Sequence, residues 1–541
     1  MKDRLIIGNI ITMDSALPKA EAVVVRDGKI AFVGSRQDAE AFGVKDVLDF
    51  GSRTILPGFI DTHVHVIPAG IFMNGADLSK VSGIEDILNI LREQASKTSK
   101  KEWVIGAFFQ DKDIPEKRFP TREELDKIIP DKPLMICHND LHPIALNSKA
   151  LSILKVDPSK DGVRTDASGR LTGLIEDPAC LDMLGDILVK LGIGNIVDGI
   201  LRVDEYAAAH GVTTVFGKDV YDILLLREIF KDLFRCEFVP MWYSDGCENI
   251  SSMQKILKNK KLRDRTCICA FADGAFDGHS AAVNEPYSDR NNTCGILNYT
   301  DKQMYDFTMA AREEGQQVSF HAIGDAAIDQ VLRVYEKVLN DCPKEDHRLR
   351  IEHFEEPKPE AIAKAAKLKI ALGMQPLLIE VCERMDFSGY EPFIGDRVKL
   401  CSPYRSVLDA GLIVGGGTDY PVTPMDVLHG ARILMTHPVE EQRITLRECI
   451  EINTIQAAKL GFIEDRKGSI SVNKDADLII LDKDPFSADL EELSDIKILK
   501  TFCKGRKVFD FESYDPGKIR KKQTLAGLIF KLISVKIFGK Q

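Results

Sequence analysis

The segment Ile55-Leu-Pro-Gly-Phe-Ile-Asp-Thr-His-Val-His65 constrains the fold of this chain more than any other part of its sequence. An apolar run that is opened by Pro57-Gly58 and closed by two histidines predicts a β-strand. Side chains two residues apart on a strand point to the same face, so His63 and His65 are expected to face one ion. Two imidazoles on one side are what a divalent metal of borderline softness requires.

Three further apolar runs also end in a residue that can bind a metal: Gln317–His321, Leu349–His353 and Leu412–Asp419. In a parallel αβ barrel, the carboxyl ends of the strands meet at one mouth, where the chemistry takes place. The chain has 11 histidines in 541 residues, so four histidines at strand ends favour a shared function over chance. The sequence therefore predicts a mouth that holds one or two divalent cations.

The order of the strand-like runs predicts an α/β fold, a (β/α)8 TIM-like barrel. Nine such runs precede turn signals, at 56–63, 134–138, 212–216, 237–242, 267–273, 317–321, 349–353, 370–375 and 412–419. A barrel needs eight strands, and the interval from the first run to residue 212 is far longer than a βα connection. We therefore assign 134–138 to a subdomain inserted at about 75–195, within a barrel domain that spans 56–461.

Both ends of the chain read as short strands separated by turns. Residues 1–55 are broken by Asp27-Gly28, and residues 462–511 contain the apolar run Ala476–Asp482. Because neither piece can bury both of its faces alone, we expect the two pieces to pack together as one small β-sandwich. Residues 512–541 then form a separate basic tail.

Motifs along nearly the whole chain resemble the metal-dependent amidohydrolase superfamily, and the chain looks closest to the branch that includes N-substituted formamide deformylases. Besides the first histidine segment, the resemblance is carried by Val24–Gly34, Pro120–Asp126, Asn147-Ser148, Asp273–Ala275, Ser280–Val283, Pro286–Asp289, His321–Asp325, Arg350–His353, Thr418–Pro421 and Ala476–Asp482. It implies a hydrolase that cleaves a non-peptide carbon–nitrogen bond of a small molecule, in an amide, cyclic amide or N-formyl compound. The motifs identify the family much better than the substrate.

The resemblance also implies a divalent metal cofactor, expected to be Zn²⁺, with one or two ions in each chain. A single ion would be held by His63, His65, His321 and Asp419, and His353 would polarise the substrate carbonyl. If two ions bind, His321 and His353 would hold the second. A bound metal lowers the pKa of water from about 16 to about 7, and Asp419 would act as the general base.

Two ions need a bridging ligand, and here the sequence departs from its relatives. Many relatives carry a lysine on barrel strand 4 that can be carboxylated to bridge two metals, whereas this chain has Cys269 at that position. Cys269 can be a thiolate ligand or simply a small buried apolar residue. Lys218, just past strand 2, is the lysine best placed to substitute, and the alternative is a solvated loop lysine.

Loop residues supply three candidates for contact with substrate. Asp140 and His142 lie in the segment Cys137–Pro143, which by resemblance overhangs the mouth. His279 follows strand 4 and could line the mouth. The alternative for both histidines is a structural role within a loop.

Two other functions are compatible with the same residues. A deaminase would use the same hydroxide on an amidine-like carbon of a heterocycle. A non-catalytic binding or regulatory protein could retain the barrel without turnover. Retention of His63, His65 and Asp419 disfavours this last alternative.

Composition limits the binding partners and the cellular compartment that we expect for this chain. The formal net charge of −11, without a basic patch that contains aromatic residues, argues against nucleic acid as a partner. No signal peptide is evident at Met1, and the 12 cysteines are scattered, as expected of reduced thiols in a cytoplasmic protein. No apolar run reaches the roughly 18 residues of a membrane-spanning helix.

The tail Lys518–Gln541 differs in charge from the rest of the chain. It has seven Lys or Arg residues and no acid, and its apolar residues approximate helical spacing. A basic amphipathic helix can lie on an anionic membrane surface. It can equally dock on the acidic body of its own chain or at a homodimer interface.

Overall fold

The computed structural model describes residues 3–99, 102–138, 143–176, 179–191, 193–220, 234–243, 247, 250 and 267–515. These residues form two compact units. The first is built from the described parts of Met1–Val64, Asp204–Asp419 and Thr423–Lys518, and the second from those of His65–Val203 and Tyr420–Val422. The tail Lys518–Gln541 lies outside the described residues, and its predicted contacts stay predictions.

A barrel of eight parallel strands occupies the first unit, as the sequence predicts. The strands, labelled in chain order, are β1 (Phe59–Val64), β2 (Val212–Val220), β3 (Glu237–Tyr243), β4 (Cys267–Phe271), β5 (Gln317–Ala322), β6 (Arg350–His353), β7 (Ala371–Met374) and β8 (Ile413–Gly416). Each strand is hydrogen-bonded in parallel to the next one along the chain. The carboxyl ends of all eight strands therefore lie at the same end of the barrel.

Helices follow the later strands of the barrel. They are Asp301–Glu313, Asp325–Asp341, Pro359–Leu368, Glu391–Ile394, Tyr404–Asp409, Val427–Met435, Leu446–Ile452 and Ile455–Leu460. The helix Asp325–Asp341 illustrates the pattern, because Ile328, Val331, Leu332 and Tyr335 recur at helical spacing and are all buried. The core of the unit is formed between such helix faces and the outward-facing side chains of the strands.

The two ends of the chain share one seven-stranded sheet in the first unit. In spatial order its strands are Arg506–Asp510, Ile498–Cys503, Leu478–Leu481, Asp46–Pro57, Arg4–Ile11, Lys19–Arg26 and Lys29–Gly34. Leu478–Leu481 joins the two ends by pairing antiparallel with Asp46–Pro57. Buried apolar side chains lie on both faces of this sheet, which explains why each segment needs the other.

The second unit contains a six-stranded sheet and several helices among the described residues. The strands, in spatial order, are Val163–Thr165, Leu171–Ile175, Ile144–Leu146, Leu134–His138, Val104–Phe109 and Ala76–Asp77. The helices are Val66–Phe72, Ile84–Lys97, Arg122–Ile128 and Ser148–Leu154, and Ala179–Leu191 and Ile193–Ala209 follow them. The ninth strand-like run, 134–138, thus belongs to the inserted subdomain. Among the described residues, no helix combines the length and the apolar character needed to cross a membrane.

Candidate metal centre

Three side chains lie close together in the first unit: His63 and His353 from the ends of β1 and β6, and Asp419 from the loop after β8. All three are buried, and one ligand atom of each lies within 4.8 Å of the other two. His63 Nε2 is 3.1 Å from Asp419 Oδ1, and the ring centroids of His63 and His353 are 5.0 Å apart. Residues separated by hundreds of positions in the chain therefore come together at the carboxyl ends of β1, β6 and β8.

The backbone adopts a left-handed conformation at two of these residues. The φ angle is 69° at His353 and 56° at Asp419, values that residues other than glycine rarely adopt. The Asp419 N–H donates to the His63 carbonyl at 2.8 Å, and the Phe354 N–H donates to the Ala322 carbonyl at 3.1 Å. Such strain persists only where the surroundings impose it, and it is concentrated at functional sites.

The other two predicted histidines differ in position. His321 lies on β5, and its ring centroid is 4.4 Å from that of His353. His65 follows the last residue of β1 and is the N-cap of Val66–Phe72 in the second unit, with φ −90° and ψ 77°. The strand geometry that would align His65 with His63 ends at Val64, and its role as a ligand stays a prediction.

His63, His321 and His353 each have the carboxyl group of a buried acid near Nδ1. His63 Nδ1 is hydrogen-bonded to Glu352 at 3.0 Å and His321 Nδ1 to Asp273 at 3.2 Å. His353 Nδ1 is 3.5 Å from Glu355 and forms no hydrogen bond with it. Histidines that bind metals almost always donate their second ring N–H to a carboxylate or carbonyl oxygen. For His63 and His321 this arrangement leaves Nε2 as the ligand atom.

Glu352 is the most strongly held of these acids. Arg350 pairs with it through two nitrogens, and the Ser319 hydroxyl donates to it at 2.7 Å. Burial by itself raises the pKa of Glu352, but Arg350, Lys218 and His63 together hold that pKa well below its ordinary value. Sequence reasoning missed this role, because alternation along β6 separates Glu352 from His353 and suggests a residue that only packs the barrel.

Asp273 is held by backbone donors instead of a cation. Its carboxylate accepts hydrogen bonds from the N–H groups of Ala282 at 3.0 Å, Ile323 at 3.1 Å and Gly324 at 2.9 Å. These three donors lie in the loops after β4 and β5. They fix the carboxylate that faces His321 Nδ1, so the Asp273-Gly-Ala motif has a positional function.

Burial shifts the titration of the imidazoles towards the neutral form. It lowers the pKa of His321, and the Asp273 carboxylate only partly opposes the effect. It also lowers the pKa of His353 well below the ordinary value, and the neighbouring His321 and His63 lower it further. Neutral imidazole is the form that binds a metal.

Lys218 lies inside the barrel. β2 extends through Val220, because Gly217–Val220 pair with the residues Pro240–Tyr243 of β3. The Lys218 side chain is buried, and its Nζ is 3.8 Å from Glu352 Oε2. The expectation that Lys218 follows the strand is thus corrected, and a solvated loop lysine is excluded.

Cys269 has apolar surroundings. It is buried in a cluster with Ile60, Phe216, Met241 and Ala457. These contacts favour the reading of Cys269 as a small apolar residue over that of a thiolate ligand.

The candidates for contact with substrate are only partly described. Asp140 and His142 lie outside the described residues, and their role stays a prediction. His279 Nε2 is 2.8 Å from Asp289 Oδ2, and its ring packs against Tyr287 and Phe393. These contacts hold His279 within the first unit, and its predicted contact with substrate remains a prediction.

Two further buried acids, Glu355 and Glu383, lie close enough to affect each other's charge. Burial raises the pKa of Glu383 to about 7, opposed by the Ser402 hydroxyl, which donates to this carboxyl group. Burial also raises the pKa of Glu355 well above its ordinary value, and the neighbouring Glu383 raises it further. Glu383 ends the π-helical segment Ile379–Glu383 after β7, and sequence periodicity gave no signal for it.

Glycines make room for the backbone beside His63. A Cβ atom added at Gly417 would lie 2.6 Å from His63 Cβ, and one added at Gly415 would lie 2.9 Å from Thr62 Cγ2. Neither distance is compatible with ordinary van der Waals contact. The glycine run at the end of β8 therefore lets this strand approach β1 closely.

The donor set fits a divalent ion of borderline softness. Neutral imidazoles and a carboxylate are the ligands that zinc takes from proteins. Ligand atoms about 2.1 Å from one ion lie roughly 3–4 Å from each other in tetrahedral geometry. The His63 Nε2 to Asp419 Oδ1 distance of 3.1 Å lies within that range. His63, His353 and Asp419 can therefore hold a metal.

Comparisons with known proteins extend over most of the chain. The family described as the amidohydrolase family matches residues 46–509. The chain is 27% identical to the amidohydrolase YtcJ of Bacillus subtilis, over 93% of this chain and 98% of that protein. It is 26% identical to the N-substituted formamide deformylase of Arthrobacter pascens, over the same shares of the two chains. A metal-dependent hydrolase from Pyrococcus furiosus, of uncharacterized function, superposes with a TM-score of 0.74 at 23% identity, covering 90% of this chain and 100% of that one.

Substituting Gly417→Ala should reduce metal binding, because the new methyl group would displace His63. We expect the metal content of the purified protein, measured by elemental analysis, to fall at least severalfold. Gly194→Ala is the matched control, since a Cβ at that position meets no atom within 4 Å. Full metal content in Gly417→Ala would contradict the geometry described here.

Glu383→Gln should make stability less dependent on pH. The pKa of Glu383 is about 7 in the folded chain, above its ordinary value of 4.5. The folded chain thus keeps a proton that the unfolded chain releases, so stability falls as pH rises from about 4.5 to 7. The loss amounts to about 3 kcal/mol and persists above pH 7. The amide cannot ionise, so thermal unfolding at pH 5 and pH 8 should show a smaller loss in the variant. The exposed Glu391→Gln should behave as wild type.

Proposed function

The chain belongs to the amidohydrolase family, and we propose that it hydrolyses a non-peptide carbon–nitrogen bond of a small amide, cyclic amide or N-formyl compound, with Asp419 as general base. The observation that carries the proposal is the buried group of His63, His353 and Asp419 at the carboxyl ends of barrel strands. Similarity to a protein named N-substituted formamide deformylase supports N-formyl compounds as part of the substrate class.

The residues of the centre would hold a divalent metal, and zinc suits their chemistry best. His63, His353 and Asp419 are candidate ligands that lie together, and His321 and His65 are the further candidates. One ion would be held by His63, His65, His321 and Asp419. If two ions bind, His321 and His353 would hold the second. When bound, a divalent ion makes water acidic enough to supply hydroxide near neutral pH, and it stabilises negative charge on the substrate oxygen.

Asp419 is placed to move the proton of the reaction. Its carboxylate is buried and lies 3.1 Å from His63 Nε2, so it faces the centre. We assign to it the uptake of a proton from the attacking water and the later delivery of that proton to the leaving nitrogen. His353, which is neutral because its pKa is lowered, would polarise the carbonyl oxygen if one ion binds or act as a ligand if two bind.

Lys218 is our proposed bridging ligand for two ions, after carboxylation of its amine. Its burial inside the barrel, next to the carboxylate of Glu352, supports this assignment. A lysine on β2 would then take the place of the strand 4 lysine of many relatives. The assignment predicts that occupancy of the second ion depends on carbon dioxide.

Asp419→Asn should lower turnover by about 10²- to 10⁴-fold, because an amide cannot accept the proton. The measurement is release of formate, amine and ammonia from a panel of formamides, amides and cyclic amides, with the metal content determined in parallel. Asp409→Asn, which changes an exposed helical acid, is the matched control. A variant that keeps its metal and wild-type turnover would refute the proposed mechanism.

The same panel separates the alternative functions. Release of ammonia from purine or pterin analogues, without turnover of amides, would indicate a deaminase. A protein that binds metal but turns over no member of the panel would favour a binding or regulatory function.

Lys218→Ala should lose one of two metal equivalents if the lysine is a carboxylated bridge. Addition of acetate or propionate should restore part of that equivalent, because a free carboxylate can occupy the vacated space. The metal content of wild type prepared with and without bicarbonate should differ in the same direction. A Lys218→Ala protein that binds two metal equivalents without added acetate or propionate would contradict the proposal that Lys218 is a bridging ligand.

A further inference from the structure

Two polar groups compete for Nδ1 of His63. Glu352 Oε2 and Gln375 Nε2 each lie 3.0 Å from this nitrogen. A carboxylate accepts a hydrogen and therefore requires Nδ1 to carry the proton. An amide N–H donates a hydrogen and requires Nδ1 to be unprotonated. The two neighbours thus demand opposite tautomers of neutral His63, and only the first leaves Nε2 able to bind an ion.

We propose that Glu352 is a positioning residue that selects the Nδ1–H tautomer of His63 and so presents Nε2 to the metal. The inference rests on the proposed function, because it takes His63 to be a ligand. Glu352 acts only through His63 and is assigned no contact with substrate or with the reacting atoms.

The charge on Glu352 is the first reason for this assignment. Arg350 Nη2 donates to Glu352 Oε2 at 2.9 Å, and Arg350 Nε pairs with Oε1, so the guanidinium binds both carboxylate oxygens. Both side chains are fully buried. An anionic oxygen 3.0 Å from a nitrogen lone pair would be repelled strongly in a medium of low dielectric. The proton on Nδ1 removes that repulsion and forms a charge-assisted hydrogen bond.

The second reason is that the amide of Gln375 has another partner. Its Nε2 donates to the Gly373 carbonyl at 3.0 Å. This hydrogen bond satisfies a donor of the buried amide without His63. Among the residues that the structure describes, the other partners of Glu352 are Arg350, Ser319 and, at 3.8 Å, Lys218, and none of them replaces His63 on the imidazole side.

The third reason is the space that β7 leaves for the pair. A Cβ atom added at Gly373 would lie 2.5 Å from Glu352 Oε2 and 2.6 Å from Arg350 Nη2. Arg350 is also anchored on the other side, where Nη2 donates to the Thr62 carbonyl at 2.8 Å. The ion pair is therefore confined between β7 and β1, next to His63.

The tautomer can be measured directly by ¹⁵N NMR of histidine-labelled, zinc-loaded, full-length protein. The resonances of His63 are identified by their loss in His63→Gln. We expect a proton on Nδ1 and metal coordination at Nε2. A proton on Nε2 in zinc-loaded wild type would overturn the inference.

Zinc affinity, measured by chelator competition, tests the two neighbours separately. Glu352→Gln should weaken zinc binding about 10- to 100-fold, as loss of a carboxylate that orients a ligand does. The fold loss of zinc affinity in Gln375→Met should be at least ten times smaller than the loss in Glu352→Gln. Glu237→Gln is the matched control, because it removes the charge of a partly buried acid that contacts Arg466, Lys467 and Lys504 instead of an imidazole.

If Glu352→Gln does not fold, Gly373→Ala provides the test, because it presses on the ion pair without removing a charge. It should weaken zinc binding at least severalfold. Unchanged zinc affinity in whichever of these variants folds, or a larger loss in Gln375→Met, would overturn the inference. Wild type that binds no zinc would instead refute the proposed function, so the two failures are distinguishable.

Discussion

The candidate centre depends on carboxylates that fix which ring nitrogen of His63 and of His321 faces the centre. An imidazole without such a partner can rotate and exchange tautomers, so its ligand atom is not defined. Here Glu352 and Asp273 lie beside the Nδ1 atoms of His63 and His321. The geometry of these two histidines is therefore a property of buried acids as much as of the histidines themselves.

Buried acids need compensation, and the chain provides it in three different ways. Glu352 has the guanidinium of Arg350, Asp273 has three backbone N–H groups, and Glu355 and Glu383 have raised pKa values that favour their neutral forms. Each solution recruits residues from other strands and loops. A small set of functional side chains thus imposes requirements on much of the barrel interior.

Glycines provide the space in which these polar groups fit. Gly417 leaves room for His63, and Gly373 leaves room for the pair of Glu352 and Arg350. At both positions a methyl group would enter the van der Waals radius of a site residue. Close approach of strands, more than backbone flexibility, accounts for these two glycines, since neither has a positive φ angle.

The sequence by itself determined the order of the barrel strands and the assignment of 134–138 to the insertion. It also indicated that His63, His321, His353 and Asp419 lie at or near strand ends. Apolar runs and the residues that close them are local patterns, so they can be recognised without a structure. Tertiary structure decided the rest. The extension of β2 that buries Lys218 follows from pairing with β3. The strand also ends at Val64, so His65 leaves strand geometry and caps the next helix. The His-x-His motif alone does not predict where that strand ends. The carboxylates beside each Nδ1 were not predictable, since Glu352 meets His63 across 289 positions and no periodicity encodes such a contact.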